Sequence, residues 1–200
     1  MPAMPDSLPT EPSESPSPGN RRGPEIDILV TSPLWGSHAS RQDLRQAANE
    51  ALSIGCRAEL GCDFGGTELA IELADDRRVA GLNARFRGKR GATNVLSFPA
   101  VEPGNLEAAL RQARGSARPL PLGDVSLAYE TVRREAEGRN MLLAHHLAHL
   151  VVHGVLHCLG YDHQGEEEAE IMEALERQCL AQLGIPDPYA VAAPAGGDEG

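Results

Sequence analysis

The sequence predicts a single domain of the α+β class, in which a small four-stranded sheet, mostly parallel or mixed, packs with about five helices. A chain of 200 residues fits one domain and can bury a sizeable core. Segments with strand character come early and segments with helix character come late. Residues 141–159 are apolar on nearly every face, so we expect them to form a buried central helix.

The first third of the chain contains two clear strands and one helix. Residues 25–30 (EIDILV) and 67–73 (TELAIEL) alternate apolar and polar side chains, as half-buried strands do. Residues 58–62 are a weaker strand candidate. Between the clear strands, Ser40 is placed to cap a helix that ends near Ser53.

The middle of the chain mixes both kinds of element. Residues 75–86 begin with acidic and end with basic side chains, which favours a helix through its dipole. Brief strands are expected at 95–98 and 122–127. The long connection between them, 101–121, is rich in Pro, Gly and Arg, and we expect at most a helical turn at 106–114.

The last third is helical, with helices expected at 129–137, 141–159 and 166–183. The domain should therefore span residues 25–185. Residues 1–24 are Pro/Ser-rich and predicted to be disordered, and 186–200 are predicted to form a flexible tail. No secretory leader, paired CxxC motif or apolar run of about 18 residues stands out, which favours a reduced cytoplasmic protein without a membrane span.

Charge is distributed unevenly along the chain. The net charge is −11, which at first argues against a nucleic-acid partner. Residues 77–139, however, hold twelve Lys/Arg against six Asp/Glu, a net +6, and the remainder of the chain carries −17. This basic middle allows a local phosphate-binding surface, although the same arginines could simply be scattered over solvated faces.

Residues 153–163 read HGVLHCLGYDH and are the most informative segment. His153 and His157 are one helical turn apart and share a face. Gly160 is a typical helix stop, after which the chain can return with His163. Three converging imidazoles suit one Zn²⁺ per chain, at the end of the buried central helix. Three protein ligands leave a fourth position open, as in catalytic zinc sites.

Other residues near this segment have more open interpretations. A single His on an apolar helix face is usually a packed core residue, and we interpret His149, His145 and His146 as contacts behind the metal ligands rather than as ligands. Asp162 could accept a hydrogen bond from a metal-binding histidine, or it could only stabilise the turn. Cys158 is more typical of apolar packing than of ligation.

The histidine spacing matches that of the metzincin proteases, HExxHxxGxxH, with one difference. Gly154 stands where those enzymes have the glutamate that serves as general base. No clear Met-turn follows, since Met172 lies in a Glu-rich helical stretch. The metal geometry is therefore protease-like, and the chemistry is not expected to be.

The run HLVVHGVLHCLGYDH from His149 resembles the signature of the bacterial YbeY family. Further blocks support the resemblance in the family's order, from about residue 25 to 190: LNARFRGK, TNVLSFP, LGDV and EEEAEIM. Members are metal-dependent single-strand endoribonucleases linked to ribosomal RNA maturation and ribosome quality control. The resemblance implies an rRNA-processing enzyme that acts on 16S precursor 3′ ends, with ribosomal partners and no DNA substrate.

The resemblance also implies roles for the basic middle of the chain. Arg87, in the FRGK block, stands where the family has its functionally important arginine, and a guanidinium can fork onto two phosphate oxygens. The residues expected to contact RNA are Arg85, Lys89, Arg90, Asn94 and Ser97. Two other hypotheses stay open: a zincin-like protease or amidase, and a ribosome assembly factor whose metal is mainly structural. The long 101–121 connection and the Pro-rich extension depart from the family pattern.

Overall fold

The computed structural model describes residues 23–56, 64–114 and 116–190 of this chain. The described residues form four strands, β1 (Glu25–Val30), β2 (Thr67–Ala74), β3 (Val95–Pro99) and β4 (Leu120–Ala128). They form six α-helices, α1 (Arg41–Gly55), α2 (Asp76–Arg87), α3 (Leu106–Ala113), α4 (Tyr129–Gly138), α5 (Leu143–Cys158) and α6 (Glu166–Gln182). The predicted α+β class is confirmed.

The sheet is mixed, with strand order β1-β2-β4-β3. β1, β2 and β4 run parallel, and β3 pairs antiparallel with β4. Ile71 lies opposite Ile28 and Val125 in the register, and all three are buried. Glu72 and Ser126, one residue further, face the other side and share a 3.0 Å hydrogen bond. The alternation seen in the sequence therefore places the main core on one face of the sheet. The other face carries these polar side chains and a smaller apolar cluster packed against α2.

Helix α5 is the centre of the core, as its uniformly apolar sequence predicts. Val151, Val152, Val155 and Leu156 are all fully buried. The helix packs against α1, α4 and α6 as well as β3 and β4. Because it is held on all sides, the side chains at its C-terminal end are placed on a rigid element.

Two details differ from the sequence prediction. Helix α3 lies where a helical turn was expected at 106–114, but it is a two-turn α-helix, because Leu106 and Leu110 form a buried stripe on it. Residues 186–190, expected to be part of a flexible tail, pack back onto α6 through Tyr189. The weak strand candidate at 58–62, the N-terminal extension up to residue 22 and the tail after residue 190 lie outside the described residues.

Within these described residues, no single helix is long and apolar enough to cross a membrane. Helices α4 and α5 satisfy the length and composition criteria only as a pair, and the chain bends by 117° between them.

Candidate metal centre

The C-terminal end of α5 and the turn behind it position the three histidines of the predicted site. His153 and His157 lie one turn apart on the helix. Gly160 reverses the chain with φ +93°, and a Cβ there would lie 2.7 Å from Cβ of Pro103. Only glycine satisfies both the backbone and the space. The Tyr161 hydroxyl then donates to the Gly55 carbonyl at 2.8 Å, which ties the turn to α1.

His163, which follows this turn, comes back to the two helical histidines. One side-chain nitrogen from each of His153, His157 and His163 lies within 4.8 Å of the others. The Nε2 atoms of His153 and His157 are 3.1 Å apart. The structure therefore brings together the residues that the sequence predicted as ligands, and the triad could hold a metal ion.

Hydrogen bonds on the far side of two rings fix which nitrogen faces the cluster. Nδ1 of His153 lies 2.7 Å from Glu176 Oε1, and Nδ1 of His157 lies 2.9 Å from the Tyr161 carbonyl oxygen. Both partners can only accept, so Nδ1 carries the hydrogen and Nε2 presents its lone pair. Two lone pairs that face each other at 3.1 Å repel unless a proton or a metal cation lies between them.

The donor set also matches a metal by distance. Two nitrogens bound tetrahedrally at about 2.0–2.1 Å would be separated by about 3.4 Å. The 3.1 Å separation between His153 and His157 is close to this value. The residues present therefore fit a small divalent cation.

The protonation states of His157 and Glu176 near neutral pH are those that favour cation binding. Burial, followed by the proximity of His153 and His163, lowers the pKa of His157 to about 4, so this imidazole stays neutral. Burial raises the pKa of Glu176, but hydrogen bonds from His149 and His153 lower it by more, to about 2 overall. The carboxylate is therefore ionised and can only accept.

The lowered pKa of His157 predicts how the metal-free protein responds to acid. Its folded pKa of about 4 lies below the usual value of 6.5, so the unfolded chain binds the extra proton first. The free energy of unfolding should therefore fall as the pH drops from 6.5 towards 4. The lowered pKa of Glu176 acts at still lower pH and does not oppose this trend.

Urea unfolding of chelator-treated protein at pH 7, 5.5 and 4.5 measures this dependence. His157→Ala should show a shallower dependence over the same range, because it lacks the titrating group. An unfolding free energy that stays level or rises between pH 7 and 5 in the wild-type chain would contradict the assignment.

The residues next to the three histidines can be compared with the roles that the sequence analysis gave them. His149 lies behind the site and shares the Glu176 carboxylate, with Nε2 2.7 Å from Oε2. Asp162 accepts from the His163 backbone and from the Gln164 side chain, so its bonds hold the turn. Glu176 was not anticipated. The sequence feature that could have identified it is an acidic residue on the buried face of α6, the face that also carries Met172.

A cleft of about 630 Å³ opens beside the histidines. Its walls include His153, His157 and His163 on one side and the α2–β3 region on the other. The predicted RNA-contacting residues on this wall are Arg87, Lys89, Asn94 and Ser97. Arg87 is exposed, and its Nη2 donates to the Ser97 carbonyl oxygen at 3.2 Å. This contact joins the guanidinium to β3 and leaves most of its N–H donors available.

Two of the residues predicted to contact RNA lie outside the cleft. Arg85 and Arg90 do not line the cleft. Arg85 is two positions before Arg87, so it projects roughly 200° around the helix. Its guanidinium lies over the Phe86 ring, 5.0 Å from the centroid.

Asn94 lines the cleft, but both ends of its amide are engaged within the protein. Its Oδ1 accepts from the Val95 backbone at 2.7 Å, and its Nδ2 donates to Glu135 at 3.0 Å. This side chain therefore shapes the wall of the cleft and joins the start of β3 to α4.

Gly154 shows why the metzincin glutamate has no counterpart here. A Cβ at this position would lie 2.6 Å from Val125 Cγ1 and 3.2 Å from Ser97 Oγ. Helix α5 thus lies so close to the sheet that no side chain fits without displacing its neighbours. The position cannot supply a general base to the cleft, which disfavours the protease-like mechanism.

Cys158 belongs to the core and not to the ligand set. Burial, with a contribution from Asp124, raises the pKa of its thiol to about 12. The thiol is therefore protonated near neutral pH, whereas metal ligation requires the thiolate.

Comparison with known proteins finds relatives that match most of this chain. The family model for "Endoribonuclease YbeY" matches residues 35–184. Proteins named Endoribonuclease YbeY from Rhodopseudomonas palustris and Nitrobacter winogradskyi are 46% and 47% identical over 167 residues, covering 84% of this chain and 82% and 83% of theirs. The namesake from Maricaulis maris is 46% identical over 164 residues, covering 82% of this chain and 91% of its own.

A solved structure also aligns with most of the chain. The solution structure of TM1509 from Thermotoga maritima covers 83% of this chain and 99% of its own, with a TM-score of 0.48 and 22% identity. The family assignment rests on the sequence matches, which extend over more than four fifths of the chain at about 46% identity. This chain belongs to the YbeY family of endoribonucleases.

Proposed function

We propose that this chain is a zinc-dependent, single-strand-specific endoribonuclease of ribosomal RNA processing, including maturation of the 16S 3′ end and ribosome quality control. The observation that carries the proposal is the cleft in which three histidine nitrogens lie within 4.8 Å of one another, opposite Arg87 and Lys89. A metal site and phosphate-binding cations thus share one surface. Precursor rRNA, ribosomal partners and a cytoplasmic location complete the proposal.

His153, His157 and His163 would hold the ion, with a position left open for the reaction. In such a site Zn²⁺ would supply Lewis acidity and make a nucleophile available near neutral pH. The protein's own task is to hold these imidazoles in the right tautomer. Glu176 and the Tyr161 carbonyl do so for His153 and His157.

Arg87 would act on the phosphate that is cut. A guanidinium can place two N–H groups on two phosphate oxygens and stabilise the charge that develops in the transition state. Its contact with the Ser97 carbonyl fixes the side chain before RNA arrives. The polar wall formed by Thr93 and Ser97 completes the cleft next to it.

Lys89 would contact a phosphate of the RNA backbone. This role predicts a change in RNA binding for Lys89→Ala, with Arg90→Ala as the control. Lys89→Ala should reduce the salt dependence of single-stranded RNA binding by roughly 0.7 log units per decade of salt, the value for one lost phosphate contact. Arg90→Ala removes the same charge from a neighbouring exposed residue outside the cleft, so the slope should change little. Fluorescence anisotropy across a salt series measures both. Equal slopes for Lys89→Ala and the wild-type chain would contradict the proposed contact.

The proposal is tested by cleavage of matched substrates by the zinc-loaded protein. A single-stranded RNA should be cut internally, the same strand in a perfect duplex should resist, and a peptide library should remain intact. RNA binding without cleavage would instead support an assembly factor with a structural metal. Peptide cleavage would support the zincin-like alternative.

A further inference from the structure

The chain after α6 folds back along that helix. Gly184, with φ +68°, ends the helix, and residues 185–190 then return towards its middle. The Arg177 guanidinium lies over the Tyr189 ring, 5.0 Å from the centroid. Asp187 lies 3.6 Å from Arg177 Nε and accepts from the Tyr189 backbone at 2.9 Å. Residues 185–190 therefore form a C-terminal strap with Tyr189 held in place.

The Tyr189 hydroxyl donates to Oε2 of Glu176. The same oxygen lies 2.7 Å from His149 Nε2, and the other oxygen, Oε1, lies 2.7 Å from Nδ1 of His153. Glu176 is only 1% exposed, so water cannot replace these partners. Two donors from α5 and one from the strap thus meet on one buried carboxylate of α6.

We propose that Tyr189 is a positioning residue for the metal centre, acting through Glu176 on His153, an inference that rests on the proposed metal site. With Oε2 occupied by the tyrosine and His149, Oε1 is kept for His153. The carboxylate cannot rotate without leaving a buried donor unpaired, which is costly. His153 is thereby held with Nδ1 protonated and Nε2 directed towards the other ligands.

Metal binding, rather than activity, tests this inference. Tyr189→Phe removes only the hydroxyl and keeps the ring beside Arg177 and His149. Glu176→Gln replaces an ion that accepts three hydrogen bonds by an amide with one acceptor oxygen. Glu170→Gln is the control, since it makes the same charge change at an exposed position of α6. Asp187→Ala loosens the strap from the surface and leaves the hydroxyl in place.

Zinc affinity is measured by competition with a chromophoric chelator, and the ligand geometry by the d–d absorption of Co²⁺ in the same site. Glu176→Gln should weaken zinc binding by roughly 10–100-fold, as for other partners of metal-binding histidines. Tyr189→Phe and Asp187→Ala should weaken it by less, with an altered Co²⁺ spectrum for Tyr189→Phe. Tyr189→Phe should add little in the Glu176→Gln background, because the two act in series.

The outcomes separate this inference from the proposed function. Wild-type protein that binds neither Zn²⁺ nor Co²⁺ would overturn the proposed metal site and this inference together. Wild-type binding with an unchanged affinity and spectrum in Tyr189→Phe would overturn the inference alone. A change confined to the melting temperature of the metal-free variants would likewise assign Tyr189 to the fold and overturn the positioning role.

Discussion

His157→Ala is expected to remove most of the metal from the protein and to abolish the stabilisation that the metal provides. A ligand present at 1,000 times its dissociation constant stabilises a protein by about 4 kcal/mol. For a domain of this size, losing that stabilisation lowers the melting temperature by roughly 8–16 °C. His157 is chosen because its ring is oriented towards the cluster: Nδ1 donates to the Tyr161 carbonyl, and Nε2 lies 3.1 Å from Nε2 of His153.

Metal content by mass spectrometry and thermal unfolding with and without zinc measure the effect. His145→Ala is the matched control, since it removes a histidine near the start of the same helix, outside the cluster. The control should keep its metal, and without zinc the wild-type and His157→Ala chains should differ far less. Full metal occupancy in His157→Ala would refute the ligand assignment.

Arg87→Ala is expected to lower RNA cleavage by on the order of 10²-fold or more, with metal content and melting temperature close to those of the wild-type chain. The residue is exposed and makes a single hydrogen bond to the Ser97 carbonyl, so the fold depends little on it. The loss should therefore come from the transition state. Single-turnover cleavage rates with a fluorescent single-stranded RNA measure it.

Two further variants sharpen this prediction. Arg87→Lys should recover little activity, because one ammonium cannot reproduce a fork onto two phosphate oxygens. Arg85→Ala removes an exposed arginine from the same helix but from a face that does not line the cleft, so it should cleave at nearly the wild-type rate. Wild-type cleavage by Arg87→Ala, or equal losses in both alanine variants, would contradict the proposed role.

Much of the fold was predictable because local patterns and burial agree. The alternating segment at 67–73 lies within the central strand β2, and the apolar segment at 141–159 contains the buried helix α5. The turn after α5 was predictable from Gly160. The structure explains why glycine is needed there: φ is positive, and a Cβ would collide with Pro103. In these segments the sequence pattern and the tertiary environment favour the same structure.

The features that the sequence did not predict depend on contacts between residues far apart in the chain. Glu176 meets His153 across 23 positions in sequence, and although it shares a face of α6 with Met172, that local position does not reveal its partner. The hydrogen bonds of the Asn94 amide to the Val95 backbone and to Glu135 on α4 could not be predicted either, since Glu135 is 41 positions away in sequence. The separation of Arg85 from Arg87, by contrast, was predictable locally, because successive helical residues are about 100° apart and these two therefore project from different faces of α2.

The most direct test of the proposed metal-dependent nuclease activity is a titration of metal into metal-free protein while cleavage of a single-stranded RNA is followed. Cleavage should be absent after chelation and should rise linearly with added zinc. It should reach a plateau at about one equivalent per chain, as expected for a single three-histidine site. His157→Ala should stay inactive throughout the same titration. Cleavage that persists in the stripped wild-type protein, or that appears equally in His157→Ala, would contradict the account.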